Sequence, residues 1–167
     1  WRDWSSDVCS SDLDIFVTRL TSDGEIAWTY QTGSEVDDWL QGVTVLDDGT
    51  IVGVGFTAGT LGHASGGTDI LVVRLSLQGE LLSMSQLGTE GDDRAFGVAG
   101  LPSGEIVISG TVYGKFGADD VWSGKKDAFI AGLSNGGDMQ WNLQFGSYDG
   151  ADDDGYGLAV LGDSLWF

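Results

Sequence analysis

One pattern recurs three times along the 167 residues of this chain. An Asp opens a short apolar strand, a Gly turn and a second strand follow, and a Gly then precedes an acidic pair. The first strands of the three copies begin at residues 14, 69 and 127, which spaces them by 55 and 58 residues. A repeat of this length is one supersecondary unit that buries its faces by stacking on its neighbours.

The copies share one register over most of their length. Each first strand is followed by a turn glycine, and each second strand ends in a Gln two residues before another glycine. The turn glycines are Gly24, Gly79 and Gly137, and the glutamines are Gln31, Gln86 and Gln144. The acidic pairs are Asp37-Asp38, Asp92-Asp93 and Asp152-Asp153. So many matches in one frame indicate internal duplication.

The residue types predict β structure throughout. Short β-branched and aromatic runs alternate with turn sequences such as Asp47-Asp48-Gly49, and no helical spacing is visible. The strands predicted in the first stretch are Ile15–Leu20, Ile26–Tyr30, Val43–Leu46 and Thr50–Thr57. Four hairpin-connected strands per repeat are typical of a β-propeller blade. The predicted fold class is therefore all-β, a partial β-propeller of four-stranded antiparallel blades, about three blades in an open arc.

The first strand of each copy is apolar at consecutive positions, as in Ile15-Phe16-Val17, Ile70-Leu71-Val72 and Phe129-Ile130. A strand with one solvated face would alternate between apolar and polar residues. These strands are therefore predicted to be buried on both faces, as they are when blades stack face to face.

The two ends of the chain do not follow the repeat. Residues 3–13 have no counterpart in it and resemble the translation of a common sequencing adaptor, so we set residues 1–13 apart as non-native; the alternative is a genuine polar leader. Residues 165–167 stop inside a predicted strand. We expect a chain truncated at both ends.

Charge bounds the partners. The formal net charge is −19, and a field of that sign repels phosphate backbones and anionic lipid surfaces. No apolar run reaches the roughly 18 residues of a membrane helix. We therefore expect no nucleic-acid binding and no membrane insertion.

The repeat resembles the bacterial β-propeller repeat family known as SBBP. The best-matching segments are Gly88–Asp93, Gly97–Gly110, Asp127–Leu133 and Gly137–Trp141, and the resemblance covers nearly everything from Asp14 onward. The resemblance implies a propeller of seven or a similar number of blades, in secreted or cell-surface bacterial proteins, with no common catalytic residues. An extracellular or cell-surface location is expected on that ground. Ser83 departs from the pattern, because Trp28 and Trp141 occupy its position in the other copies.

This frame divides the chain into a repeat region at 14–167. The expected parts are an outer half blade at 14–33, whole blades at 42–88 and 97–146, and the start of a further blade at 157–167. Three blades cannot close a ring, so the region is expected to need the missing blades.

Strand alternation predicts that the tight turns share one side of the disk. The acidic pairs then lie on the other side with the long, dissimilar connections at 58–68 and 113–126. Loops that differ between repeats are free to specialise, so a binding surface is expected there.

The acidic pairs admit two interpretations. Clustered carboxylates suit a hard cation such as Ca²⁺, which makes Asp37, Asp38, Asp92, Asp93, Asp152 and Asp153 candidate metal ligands. The other interpretation is structural: one Asp of each pair accepts backbone N–H bonds while the other faces solvent. Recurrence in every copy favours the structural role, since a part that each repeat needs recurs and a single site does not.

Two classes of function remain open. The first is a non-catalytic scaffold or interaction module of an exported bacterial protein, which binds protein or glycan through its loops; Trp122 with Lys125-Lys126 could stack on such a partner. The second is part of an enzymatic propeller, quinoprotein-like or hydrolase. Gly24–Trp28 and Gly137–Trp141 echo the Gly-x-x-x-Trp docking element of quinoprotein propellers, although no cofactor ligands are evident.

Overall fold

The computed structural model describes residues 13–117, 122–147, 149–162 and 164–167, so the adaptor-like segment lies outside the described residues except for Leu13. Within these ranges the chain is all-β. Twelve strands follow one another: β1 (Ile15–Leu20), β2 (Ile26–Thr32), β3 (Asp38–Val45), β4 (Ile51–Thr57), β5 (Asp69–Leu75), β6 (Leu81–Leu87), β7 (Arg94–Gly100), β8 (Ile106–Val112), β9 (Asp127–Leu133), β10 (Met139–Phe145), β11 (Ala159–Leu161) and β12 (Ser164–Trp166).

The strands form two four-stranded antiparallel sheets flanked by two hairpins. The sheets have the orders β3-β4-β5-β6 and β7-β8-β9-β10, and the hairpins are β1-β2 and β11-β12. Consecutive strands are neighbours throughout, as in propeller blades. No barrel closes, and the fold prediction is confirmed: the chain is a partial propeller in an open arc. We call the sheets the first and second full blades, and the hairpins the N-terminal and C-terminal half blades.

The predicted burial of the repeat-opening strand on both faces is correct for the two full blades. Every residue of β5 and β9 is buried, as is every residue of β4 and β8. The same prediction is wrong for β1, where Ile15 is buried but Phe16 is 67% exposed. The reason is that β1 pairs with β2 alone, whereas β5 lies between β4 and β6.

Neighbouring blades pack through apolar side chains. Val17, Trp28 and Tyr30 of the N-terminal half blade contact a buried cluster that includes Leu71 and Val73 of the first full blade. The Trp28 indole Nε1 donates to the Leu77 carbonyl oxygen across this junction at 3.1 Å. These contacts hold the half blade in place without its own inner strands.

The inner strand of the first full blade starts earlier than predicted. The sequence predicted Val43–Leu46, and β3 instead runs from Asp38 to Val45. Its register against β4 shifts between Leu40 and Gly42, and β7 shifts against β8 between Ala95 and Gly97. A bulge of this kind interrupts the regular alternation on which the strand prediction relied.

Candidate functional site

The candidate site is the side of the blades that carries the acidic pairs, which we call the loop face. It consists of the connections at residues 33–37, 58–68, 88–93, 113–126 and 146–158, of which 118–121 and 148 lie outside the described residues. Backbone bonds join neighbouring connections here: Gly67 donates to the Gly91 carbonyl oxygen at 3.0 Å, and Ala58 donates to that of Asp37 at 3.0 Å. The short glycine turns lie at the opposite ends of the strands, on what we call the turn face.

The first Asp of each pair clamps the residue before the repeat-opening Asp. The carboxylates accept backbone N–H bonds from Leu13, Thr68 and Lys126, at 3.1 Å for Asp37, 2.9 Å for Asp92 and 3.4 Å for Asp152. The backbone N–H of the second Asp donates to the carbonyl oxygen of the same residue, at 2.7 to 2.8 Å in the three copies. Each pair thus ties one connection to the next by two bonds.

The second Asp of each pair caps the connection that precedes it. Asp38 accepts from the Ser34 N–H at 2.5 Å and Asp153 from the Ser147 N–H at 2.7 Å. Asp93 accepts from the Thr89 N–H, from Thr89 Oγ1 at 3.0 Å and from the Tyr113 N–H at 2.9 Å. Asp38 and Asp93 are almost fully buried. Neither is a loop residue exposed to solvent.

Sequence reasoning treated the repeat-opening Asp and the Gln before the glycine as landmarks and missed their role in this face. Gln86 Nε2 donates to Asp69 Oδ2 at 2.9 Å, and its Oε1 accepts from the Leu61 and Gly62 N–H groups. Gln144 makes the equivalent bond to Asp127 at 2.8 Å. Their fixed position in every repeat was the available signal, because a polar residue kept at a buried strand position implies hydrogen-bonding partners.

Two buried carboxylates approach each other across Gly88. A Cβ at Gly88 would lie 2.1 Å from Asp69 Oδ1 and 2.8 Å from Asp93 Oδ2. Burial, opposed by the bonds from Thr89 and Tyr113 and reinforced by the charge of Asp69, raises the pKa of Asp93 above its ordinary value. Asp69 Oδ1 has no hydrogen-bond partner. The glycine is needed here because any side chain would displace this carboxylate pair.

The metal interpretation of the acidic pairs stays a prediction. In the described ranges no three His, Cys, Asp or Glu side chains are grouped so that they could hold a metal ion. The six candidate residues, Asp37, Asp38, Asp92, Asp93, Asp152 and Asp153, instead divide by blade junction, and each accepts at least one backbone N–H bond. The geometry supports the structural role.

A pocket of about 250 Å³ lies on the loop face between the second full blade and the C-terminal half blade. Arg94, Tyr113, Lys126, Asp154 and Tyr156 are among its lining residues. It therefore combines two phenol rings, two cations and carboxylates in one small depression.

The walls of this pocket are held by specific contacts. The Tyr156 ring stacks on Phe96 with centroids 4.9 Å apart, and the Arg94 guanidinium lies 4.6 Å from the centre of the Phe56 ring. Lys126 Nζ lies 2.8 Å from Asp154 Oδ1, and its hydrogen bond to that carboxylate raises the pKa of Lys126. Lys126 therefore stays protonated at neutral pH.

Trp122 lies beside the pocket in the longest connection. Its ring meets Tyr113 edge-on at 6.0 Å, and its Nε1 donates to the Lys125 carbonyl oxygen at 2.5 Å. The ring is partly exposed. It extends the aromatic surface on which a partner could stack.

A scan of protein-family models finds none that matches the chain, and no curated protein matches it with significant similarity. Across the described residues, no helix has both the length and the apolar character that crossing a membrane requires.

Proposed function

We propose that this chain is a non-catalytic β-propeller module of the SBBP type, part of an exported bacterial protein, that binds a protein or a glycan through its loop face. The carrying observation is the pocket at Arg94, Tyr113, Lys126 and Tyr156. It lies on connections that the repeated acidic pairs tie together, so its walls are set before a partner arrives. Preorganisation of this kind reduces the ordering cost of binding.

The size and chemistry of the pocket limit the group it accepts. Drug-sized ligands occupy pockets of roughly 300–1,000 Å³, so a pocket of about 250 Å³ suits one sugar ring or one protein side chain. Tyr113 and Tyr156 offer ring surfaces. Lys126 and Arg94 donate hydrogen bonds and the nearby Asp152 and Asp154 accept them, a mixture that matches hydroxyl or amide groups.

A glycan array and a peptide array, each probed with the full chain, test the two partner classes, and the best ligand is then titrated by calorimetry. We expect Tyr156→Ala to weaken binding by at least about tenfold, which corresponds to roughly 1.4 kcal/mol. Glu105→Ala is the control, because Glu105 lies beside a tight turn on the opposite side of the blade. Equal losses for both variants, or binding that Tyr156→Ala leaves intact, would contradict the proposal.

A further inference from the structure

The two half blades are complementary parts of one blade. β1 and β2 occupy the repeat positions of β5 and β6, the outer strands of the first full blade, since Asp14 and Asp69 open equivalent segments. β11 and β12 occupy the positions of β7 and β8, the inner strands of the second full blade, since Gly97-Val-Ala-Gly-Leu and Gly157-Leu-Ala-Val-Leu align. Within one copy, β1 pairs with β2 and β12 with β11, and the two hairpins do not pair with each other.

Exposure at β1 shows what its missing neighbours cover. Phe16 is 67% exposed and Leu20 57%, whereas their counterparts Leu71 and Leu75 are 0% and 1% exposed. Leu71 and Leu75 belong to the cluster that receives the preceding half blade. Phe16 and Leu20 therefore face the position of a preceding blade.

A matching uncovered surface lies on β10. Trp28 and Tyr30 of β2 pack on the next blade, and Trp141 and Leu143 hold the same repeat positions. Leu143 is 54% exposed. This surface faces the C-terminal half blade, which has inner strands but no outer ones.

The turn glycines show the same complementarity. The Trp28 ring lies 2.7 Å from the position of a Cβ on Gly79, whereas the equivalent Gly24 has nothing within 4 Å. Trp28 Nε1 donates to the Leu77 carbonyl oxygen, and the counterpart of Leu77 is Ser22. The open place at Gly24 is thus shaped for a tryptophan that occupies the position of Trp141.

We propose that a second copy of this chain fills both gaps, so that the β11-β12 hairpin of one copy joins β1-β2 of the other in a composite blade of order β11-β12-β1-β2. The pairing of β4 with β5 fixes its register, because Ile51, Val52 and Gly53 pair with Leu75, Arg74 and Val73. By repeat equivalence, Leu165 pairs with Leu20, Trp166 with Arg19 and Phe167 with Thr18. Trp141 of the first copy then donates to the Ser22 carbonyl oxygen of the second.

Blade count identifies the number of copies. Each chain has two full blades and two half blades, so two copies hold four full and two composite blades, six in all. Propellers typically have about 4–8 blades, and three copies would exceed that number. A ring of two also removes both free sheet edges, which otherwise invite uncontrolled pairing.

Sedimentation equilibrium and light scattering of the full chain test the proposal. The expected particle has twice the 17.6 kDa mass of one chain. Phe16→Lys places a charge on a residue that is exposed in one copy and buried in the composite blade, so we expect the dissociation constant to rise at least about a hundredfold, or roughly 2.7 kcal/mol. Leu82→Lys is the matched control, because Leu82 is 53% exposed on the outer strand of a full blade, and its dimer should persist. Circular dichroism confirms that both variants are folded.

A cysteine pair tests the register. In a chain with Cys9→Ser, Arg19→Cys and Trp166→Cys lie opposite each other, and directly paired strand residues have Cα atoms about 4.5–5.5 Å apart, within disulfide range. Mild oxidation should yield covalent dimers from this variant and few from the control with Leu82→Cys and Trp166→Cys. A monomer at all concentrations, a dimer that Phe16→Lys leaves unchanged, or cross-linking in the control variant overturns the proposal.

Discussion

Asp93 Oδ1 accepts a hydrogen bond from Thr89 Oγ1 at 3.0 Å while the same carboxylate accepts the backbone N–H of Thr89 and that of Tyr113. One buried side chain therefore joins the connection that precedes its own strand to the connection that follows β8. Asp38 and Asp153 cap their own connections in the same way. The acidic pair is thus the joint between consecutive blades.

Replacement of Asp93 should show how strong that joint is. Asp93→Ala leaves two buried backbone N–H groups without acceptors, and we expect it to lower the free energy of unfolding by about 3 kcal/mol. Asp92→Ala is the control, because Asp92 is exposed and accepts one bond, from Thr68; its loss should stay below about 1 kcal/mol. Urea unfolding followed by tryptophan fluorescence measures both values, and equal losses would contradict the division of roles within the pair.

The raised pKa of Asp93 gives stability a defined pH dependence. Between the unfolded value of 3.8 and the raised folded value, the native chain binds more protons than the unfolded chain, so stability falls as pH rises through this window. Above the folded pKa the loss is complete. Asp93→Asn removes this titration, and the free energy of unfolding of the parent relative to Asp93→Asn should therefore decline with pH, by at most about 1.4 kcal/mol per unit.

Urea unfolding of both chains from about pH 3.5 to pH 7 checks that slope. Asp69→Asn is informative beside it, because the Asp69 charge is one cause of the raised pKa of Asp93. Without that charge the window should narrow. A relative stability that instead grows with pH would show that the pKa of Asp93 is lowered.

The repeat alone was enough to predict the fold class, because each copy of the pattern carries its own strand and turn residues. β1 matches its predicted bounds of Ile15–Leu20, and the core strand β5 is buried at every position. The exposure of Phe16 was not predictable from its own residues. A sequence pattern reports what a strand is suited to contact, and whether a neighbour is present depends on blades elsewhere.

The candidate site was predicted in part for a related reason. The acidic pairs were identified by recurrence, but their burial depends on where β3 begins, and the bulge near Gly42 concealed that the strand extends back to Asp38. The pocket at Tyr156 brings together Arg94 and Lys126 from separate connections. No local spacing in the sequence marks residues that meet only after blades stack.

Gly88 should tolerate no side chain. The Cβ of Gly88→Ala would lie 2.1 Å from Asp69 Oδ1, so the carboxylate must move out of its bond with Gln86, and we expect a loss of about 1–3 kcal/mol or more in the free energy of unfolding. Gly157→Ala is the matched control, since nothing lies within 4 Å of a Cβ there. Its effect should stay within about 0.5 kcal/mol. Thermal and urea unfolding of the two variants make the comparison, and a neutral Gly88→Ala would show that the pocket of carboxylates is looser than the structure has it.

Calcium should leave the stability of the chain unchanged if the acidic pairs are joints between blades. Each candidate ligand already accepts backbone N–H bonds, and a cation at Asp92 and Asp93 would have to displace the bonds from Thr68, Thr89 and Tyr113. We expect millimolar CaCl₂ to shift the melting temperature no more than MgCl₂ at the same ionic strength, which controls for screening of the net charge. Saturating binding at one hundred times the dissociation constant would instead stabilise the folded state by about 2.7 kcal/mol. A calcium-specific rise of that size, abolished by Asp92→Asn, would establish the metal role in place of the structural one.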